Sequence, residues 1–134
     1  MVKQALTLPL RPGSTVVLVS SGAAIDGSPL SGGYAGAKRM QWFLASYAQK
    51  VSDAKKLGIR MLAVLPRPIE GTIIGAGAAE AYGPMSGMTA EAFMKRNGVS
   101  LDKVASAILT ALDRGVSAEI NTIAVTQAGI EPLK

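Results

Sequence analysis

Three short apolar runs set the limits on what this chain can fold into. They are residues 15–20, Thr15-Val16-Val17-Leu18-Val19-Ser20; residues 59–65, Ile59 to Leu65; and residues 120–125, Ile120 to Val125. The first is apolar and β-branched without alternation. That is the pattern of a strand covered by helices on both faces, not of a strand with one wet face. Helical patterns stand between the runs, and strands separated by helices are parallel. The expected fold is α/β, with three layers (α/β/α) and about three parallel strands in the order one, two, three. The length predicts a single domain over residues 1–134.

The rest of the chain supplies the connections. Residues 1–11 are short and mixed, and Pro12-Gly13 turns the chain into the first strand. Residues 21–33 hold Gly, Ser and Pro and read as a loop. Tyr34 to Leu57 reads as the longest helix, with Ala37, Met40, Phe43, Leu44, Tyr47, Val51 and Ala54 at helical spacing and Gly58 as a left-handed stop. Pro66 and Pro68 end the second strand. Residues 66–98 form a stretch with Gly and Met expected to act as a lid or binding loop, carrying a short helix near Ala90–Arg96 closed by Gly98. Ser100 is a candidate N-cap, with Asp102 in the first turn, Gly115 past the end, and Val104, Ile108, Leu109 and Leu112 on the buried face. The residues after the third strand read as a loose tail.

One constellation carries chemistry. Ser21 stands at the carboxyl end of the first strand, thirteen residues before the pair Tyr34-x-x-x-Lys38. A Tyr and a Lys four apart share one helix face. An ammonium a few ångströms away favours the phenolate over the phenol, so such a tyrosine can give or take a proton near neutral pH. The serine hydroxyl can hydrogen-bond the same substrate oxygen. Alone, the pair is also the pattern of an exposed surface contact, and the serine that of a turn residue. Together they point to the carboxyl ends of the strands, where open α/β sheets keep their sites.

Composition removes other chemistries. The chain has neither cysteine nor histidine, which excludes thiolate and Ser-His-Asp catalysis and disfavours zinc. No run approaches the ~18 apolar residues of a membrane span, so no membrane is expected, and a cysteine-free chain suits the cytoplasm. The net charge is +5. Lys50, Lys55, Lys56 and Arg60 read as a solvated helix end. With few aromatics beside these charges, no nucleic acid partner is expected. Gly75-Ala76-Gly77 begins like a dinucleotide turn, but Glu80 stands where its third glycine belongs; it reads as lid. Met85, Met88 and Met94 could line a pocket or fill gaps.

In these residues the chain resembles the short-chain dehydrogenase/reductase family. The resemblance rests on Val17-Leu18-Val19-Ser20-Ser21, Tyr34-x-x-x-Lys38, and Gly58-Ile59-Arg60-Met61-Leu62-Ala63-Val64-Leu65-Pro66. It continues in Leu101-Asp102-Lys103-Val104-Ala105 and the strand Ile120 to Val125. It covers nearly the whole chain but only the C-terminal half of the family. It implies a Rossmann-like fragment with its long helices on opposite faces of the sheet. It implies an NAD(P)-dependent alcohol/carbonyl oxidoreductase using NAD or NADP. Tyr34 would be the general acid/base, Lys38 would bind the nicotinamide ribose, and Ser21 would orient the carbonyl or hydroxyl. Pro66, Arg67, Ile69 and Thr72 would lie by the nicotinamide.

The departures shape the expectation. The glycine-rich turn that receives the pyrophosphate is absent from the sequence, and Arg67 stands where the family often has Gly. The cofactor is therefore not expected to bind this chain alone, and the chain alone is expected to be inactive. A separate chain bearing the missing N-terminal half would complete it. The alternative is a non-catalytic oligomeric module. Either way a homo-oligomer is expected, through the edge of strand 15–20 or through helix 34–57.

Overall fold

A computed structural model describes residues 1–8, 10–113 and 120–133. The elements run α1 (Val2–Thr7), β1 (Thr15–Val19), α2 (Ala23–Asp26), α3 (Gly32–Ala54), β2 (Arg60–Pro66), α4 (Ile73–Met85), α5 (Ala90–Asn97), α6 (Leu101–Leu112), β3 (Thr122–Thr126) and β4 (Gly129–Pro132). The sheet has the order β1-β2-β3-β4. The first three strands are parallel, with Val17 opposite Leu62 and Val64 opposite Ile123; β4 is antiparallel to β3. No helix among the described residues is long and apolar enough to cross a membrane.

The central strand explains the layers. All seven residues of β2 are buried. Its side chains alternate between two cores. Leu62 and Val64 pack with Val104, Ala107 and Ala111 of α6, while Ala63 and Leu65 pack with Ala45 of α3. The two helices therefore cover opposite faces. The strand order advances in one direction through both crossovers, so the two have opposite hands. One of them has the left-handed form that only ~2% of such connections adopt.

Several expectations need correction. The long helix starts at Gly32 and ends at Ala54, short of Leu57, because Lys56 (φ 54°) and Gly58 (φ 66°) both turn left-handed behind it. Its buried residues are Ala45, Ala48 and Ser52, whereas Met40, Phe43, Leu44 and Tyr47 are exposed. Small side chains let the helix lie close to the sheet. Ser52 clamps the start of β2: its hydroxyl donates to the Ile59 carbonyl (2.7 Å) and accepts from the Ile59 N–H. The first strand ends at Val19, one residue before Ser20, and the second includes Pro66 rather than stopping before it.

The loop of residues 21–33 contains the short helix α2, and the lid of residues 66–98 is mostly helix, α4 followed by α5. The third strand starts at Thr122, not Ile120, and the tail behind it is a strand, β4. Helix α6 begins at its expected cap, where the Lys103 N–H donates to Ser100 Oγ. Its buried face is Val104, Ala107 and Ala111; Leu109 is 70% exposed, and Leu112 is only partly covered. Gly115 lies outside the described residues. Arg60 is no solvated cation: it is buried, and its guanidinium donates to the carbonyls of Ala111 (2.6 Å) and Ile120.

Candidate active site

The three parallel strands deliver their carboxyl ends to one side of the sheet. The β1–β2 ladder continues past β1, with the Ser20 N–H donating to the Val64 carbonyl and the Gly22 N–H to the Pro66 carbonyl, both at 2.8 Å. This fixes Ser21 between two anchored neighbours. Ser20 is buried and its hydroxyl donates to the Lys38 carbonyl at 2.7 Å, fastening α3 to the end of β1. Ser21 Oγ accepts from the Ala23 N–H at 3.2 Å, which starts α2 and leaves its hydroxyl hydrogen free for another partner.

Tyr34 and Lys38 lie one turn apart on α3, and the Lys38 ammonium stands 5.8 Å from the centre of the Tyr34 ring. The approach to α3 is held by Ser31, whose hydroxyl accepts from the Ser28 N–H and donates to the Ser28 carbonyl. Arg39 ties α3 back to the Ala24 carbonyl at 3.1 Å. The far wall comes from α4 and α5. There Tyr82 stacks on Phe93 with ring centres 6.0 Å apart, and the Tyr82 hydroxyl meets Ser28 Oγ at 2.5 Å across the cleft.

Ser21, Tyr34, Lys38, Pro66, Arg67, Ile69 and Thr72 all line this one cleft, about 680 Å3 in volume. Shared lining is what joins them. No hydrogen bond links Ser21 to Tyr34, and the Tyr34 hydroxyl has no partner among the described residues. Several of the seven also serve the fold. The Pro66 carbonyl accepts from Gly22. Ile69 bridges to Val99 and packs on the α6 core. The Thr72 hydroxyl donates to the Ile69 carbonyl (2.8 Å) and caps α4 by accepting from the Gly75 N–H (3.0 Å).

The sequence reading missed Ser20, Gly22, Ser28 and Tyr82. Serines at a strand end and in a loop carry no pattern that distinguishes a positioning bond from solvent contact. Of the three methionines, Met94 lines a second, shallower hollow of about 470 Å3 beside α4, and none lines the main cleft.

The cleft suits one end of a nicotinamide nucleotide. Hydroxyl donors, a cation and apolar walls surround a space large enough for a ring and a sugar. Among the described residues there is no glycine-rich turn for the pyrophosphate end. Gly75 opens no phosphate cradle, because a Cβ there would stand 2.1 Å from the Ile69 carbonyl oxygen, and its N–H is already taken by Thr72. Gly75 and Gly77 belong to α4, not to a flexible lid. Among the described residues, no group of three or more acidic, histidine or cysteine side chains could hold a metal.

No family model and no curated protein matches the chain. Among solved structures it is similar to a short chain dehydrogenase family protein from Francisella tularensis subsp. tularensis SCHU S4. The TM-score is 0.62 at 16% identity, over 90% of this chain and 52% of that one. The likeness is one of fold, and the chain spans about half the length of that protein.

Proposed function

We propose that this chain is the substrate-facing half of an alcohol/carbonyl oxidoreductase of the short-chain dehydrogenase/reductase kind, working with NAD or NADP. The observation that carries the reading is the meeting of Ser21, Tyr34 and Lys38 in one cleft at the carboxyl ends of three parallel strands. The bound nicotinamide would take or give the hydride. Tyr34 moves the proton at the substrate oxygen, and its exposure of 40% leaves the hydroxyl reachable. Ser21 donates its hydroxyl hydrogen to the same oxygen. Lys38 holds the ribose hydroxyls beside Tyr34.

The likeness of fold to a dehydrogenase family protein supports this reading. So does the apolar lining that Ile25, Leu30, Ile74 and Phe93 give the cleft. A pyrophosphate-binding turn would have to come from outside residues 1–134. The cleanest test uses nicotinamide mononucleotide, the end of the cofactor the cleft suits. At millimolar concentration it should shift the amide resonances of Ser21, Tyr34 and Lys38, and Lys38→Gln should remove the effect. Unmoved resonances would end the reading.

A second reading is favoured by α3. Met40, Phe43, Leu44 and Tyr47 form an exposed apolar stripe, with Phe43 and Tyr47 stacked 6.3 Å apart. Among the described residues, no strand pairs with the outer edge of β1. Helix α1 packs its Val2 and Leu6 against the core between α3 and the sheet, not along that edge as a strand. Self-association through the stripe or the edge would make the chain a homo-oligomer, as a catalytic half or as a non-catalytic module.

A further inference from the structure

Arg67 is a cation of the cleft that neither the fold nor the proposed proton transfer uses. Its backbone is fixed, with its N–H donating to the Val125 carbonyl at 2.9 Å. Its stem lies along Gly22. A Cβ at Gly22 would come within 3.4 Å of Arg67 Cδ and 3.3 Å of the Pro66 carbonyl oxygen. The missing side chain therefore lets the arginine stem lie against Gly22, and Arg67 and Ser21 line the same cleft. The guanidinium has no hydrogen bond or ion pair among the described residues, although Asp26 lines the same cleft.

The other lining cation, Lys38, is turned over the Tyr34 ring. Between the two cations the walls are largely apolar, ending in the Tyr82–Phe93 stack. Arg67 is exposed, and a guanidinium without protein partners can bind a carboxylate or phosphate through two parallel N–H bonds. We infer that Arg67 anchors an anionic group of the substrate, a carboxylate or a phosphate monoester, while the substrate's apolar body lies against Tyr82 and Phe93. Its carbonyl or alcohol then faces Ser21 and Tyr34, which rests on the proposed oxidoreductase reading; the anion site does not.

Binding is followed by NMR titration of the full chain with phenylpyruvate, its methyl ester, phenyl phosphate and nicotinamide mononucleotide. Wild type should bind phenylpyruvate, phenyl phosphate or both on the order of ten-fold more tightly than the ester. Which acid wins tells a carboxylate site from a phosphate site. Arg67→Gln should erase the preference and leave ester affinity unchanged, with an unaltered melting temperature because the guanidinium has no structural partner. Arg67→Lys should keep part of it. Tyr34→Phe should keep the acid preference while weakening acid and ester alike. Equal binding of acids and ester by wild type, or a preference that survives Arg67→Gln, would overturn the inference. So would an Arg67→Gln effect confined to nicotinamide mononucleotide. Failure of both acids and ester to bind overturns it too, whereas the oxidoreductase reading stands or falls on the mononucleotide.

Discussion

The buried hydroxyl of Ser20 donates a 2.7 Å hydrogen bond to the main-chain carbonyl of Lys38, joining the end of the first strand to the helix that bears the Tyr34–Lys38 pair. Ser20→Ala should cost about 1 kcal/mol in stability, the ordinary net worth of such a bond. The more telling readout is local. Amide shifts should move at Lys38 and Tyr34 while the far end of α3, near Ser52, stays put. Changes spread evenly along the helix would show that the bond does not position the pair.

Tyr82 and Ser28 close the cleft from opposite sides through one hydrogen bond. Tyr82→Phe keeps the stack on Phe93 and removes only that bond. Global stability should fall by no more than about 1 kcal/mol, while hydrogen exchange in α4 speeds up relative to α6. An unchanged α4 would mean that packing alone holds it.

Two glycines of α4 should respond in opposite directions to alanine. At Gly75 a Cβ would stand 2.1 Å from the Ile69 carbonyl oxygen, a clash with backbone that cannot swing aside. Gly75→Ala should destabilise by about 1–3 kcal/mol or more. At Gly77 nothing lies within 4 Å, and the helix should gain about 1 kcal/mol from the better helix former. Denaturant midpoints of the two variants decide this; equal effects would contradict the helix start at Thr72.

The purified chain alone should not turn over secondary alcohols with NAD or NADP, since none of its described residues receives the pyrophosphate. Steady oxidation that disappears in Tyr34→Phe would overturn the expectation and strengthen the assignment of Tyr34.

Sedimentation at micromolar concentration should show a homo-oligomer. If the α3 stripe makes the contact, Phe43→Glu with Tyr47→Glu should release monomers without unfolding, because both side chains are already exposed, at 64% and 56%. A wild-type monomer of 13.8 kDa removes the proposal.

The central strand β2 was legible because burial on both faces leaves a nearly continuous apolar run; β1 carries the same pattern although it is only half-buried and Val19 is exposed. Tyr34 and Lys38 were legible as a pair because helix geometry alone sets them together. Helix α4 was not. Gly75, Gly77, Gly83 and Pro84 argue against a helix, and it survives through packing. A Cβ at Gly83 would stand 3.1 Å from the backbone of Thr89 and Ala90, so glycine favours the close approach of α4 and α5. The buried face of α3 was misjudged for a related reason. Hydropathy ranks Met40 and Phe43 above Ala45, Ala48 and Ser52, yet close approach to a sheet selects the small ones. Strand β4 is four residues long and contains Gly129 and Pro132, which argue against a strand, and Gly129 (φ 130°) turns it back onto β3.

That returning strand would limit how far the proposed edge-to-edge assembly could grow. Beyond β3 the sheet ends in a short antiparallel segment carrying Glu131 and Pro132, a charge and a residue with no N–H to offer. Two copies joined at their β1 edges would present this blunt terminus on both outer sides. Addition would stop after a single event, so apparent mass would plateau at twice the protomer as concentration rises, where a sheet open at both ends would keep lengthening.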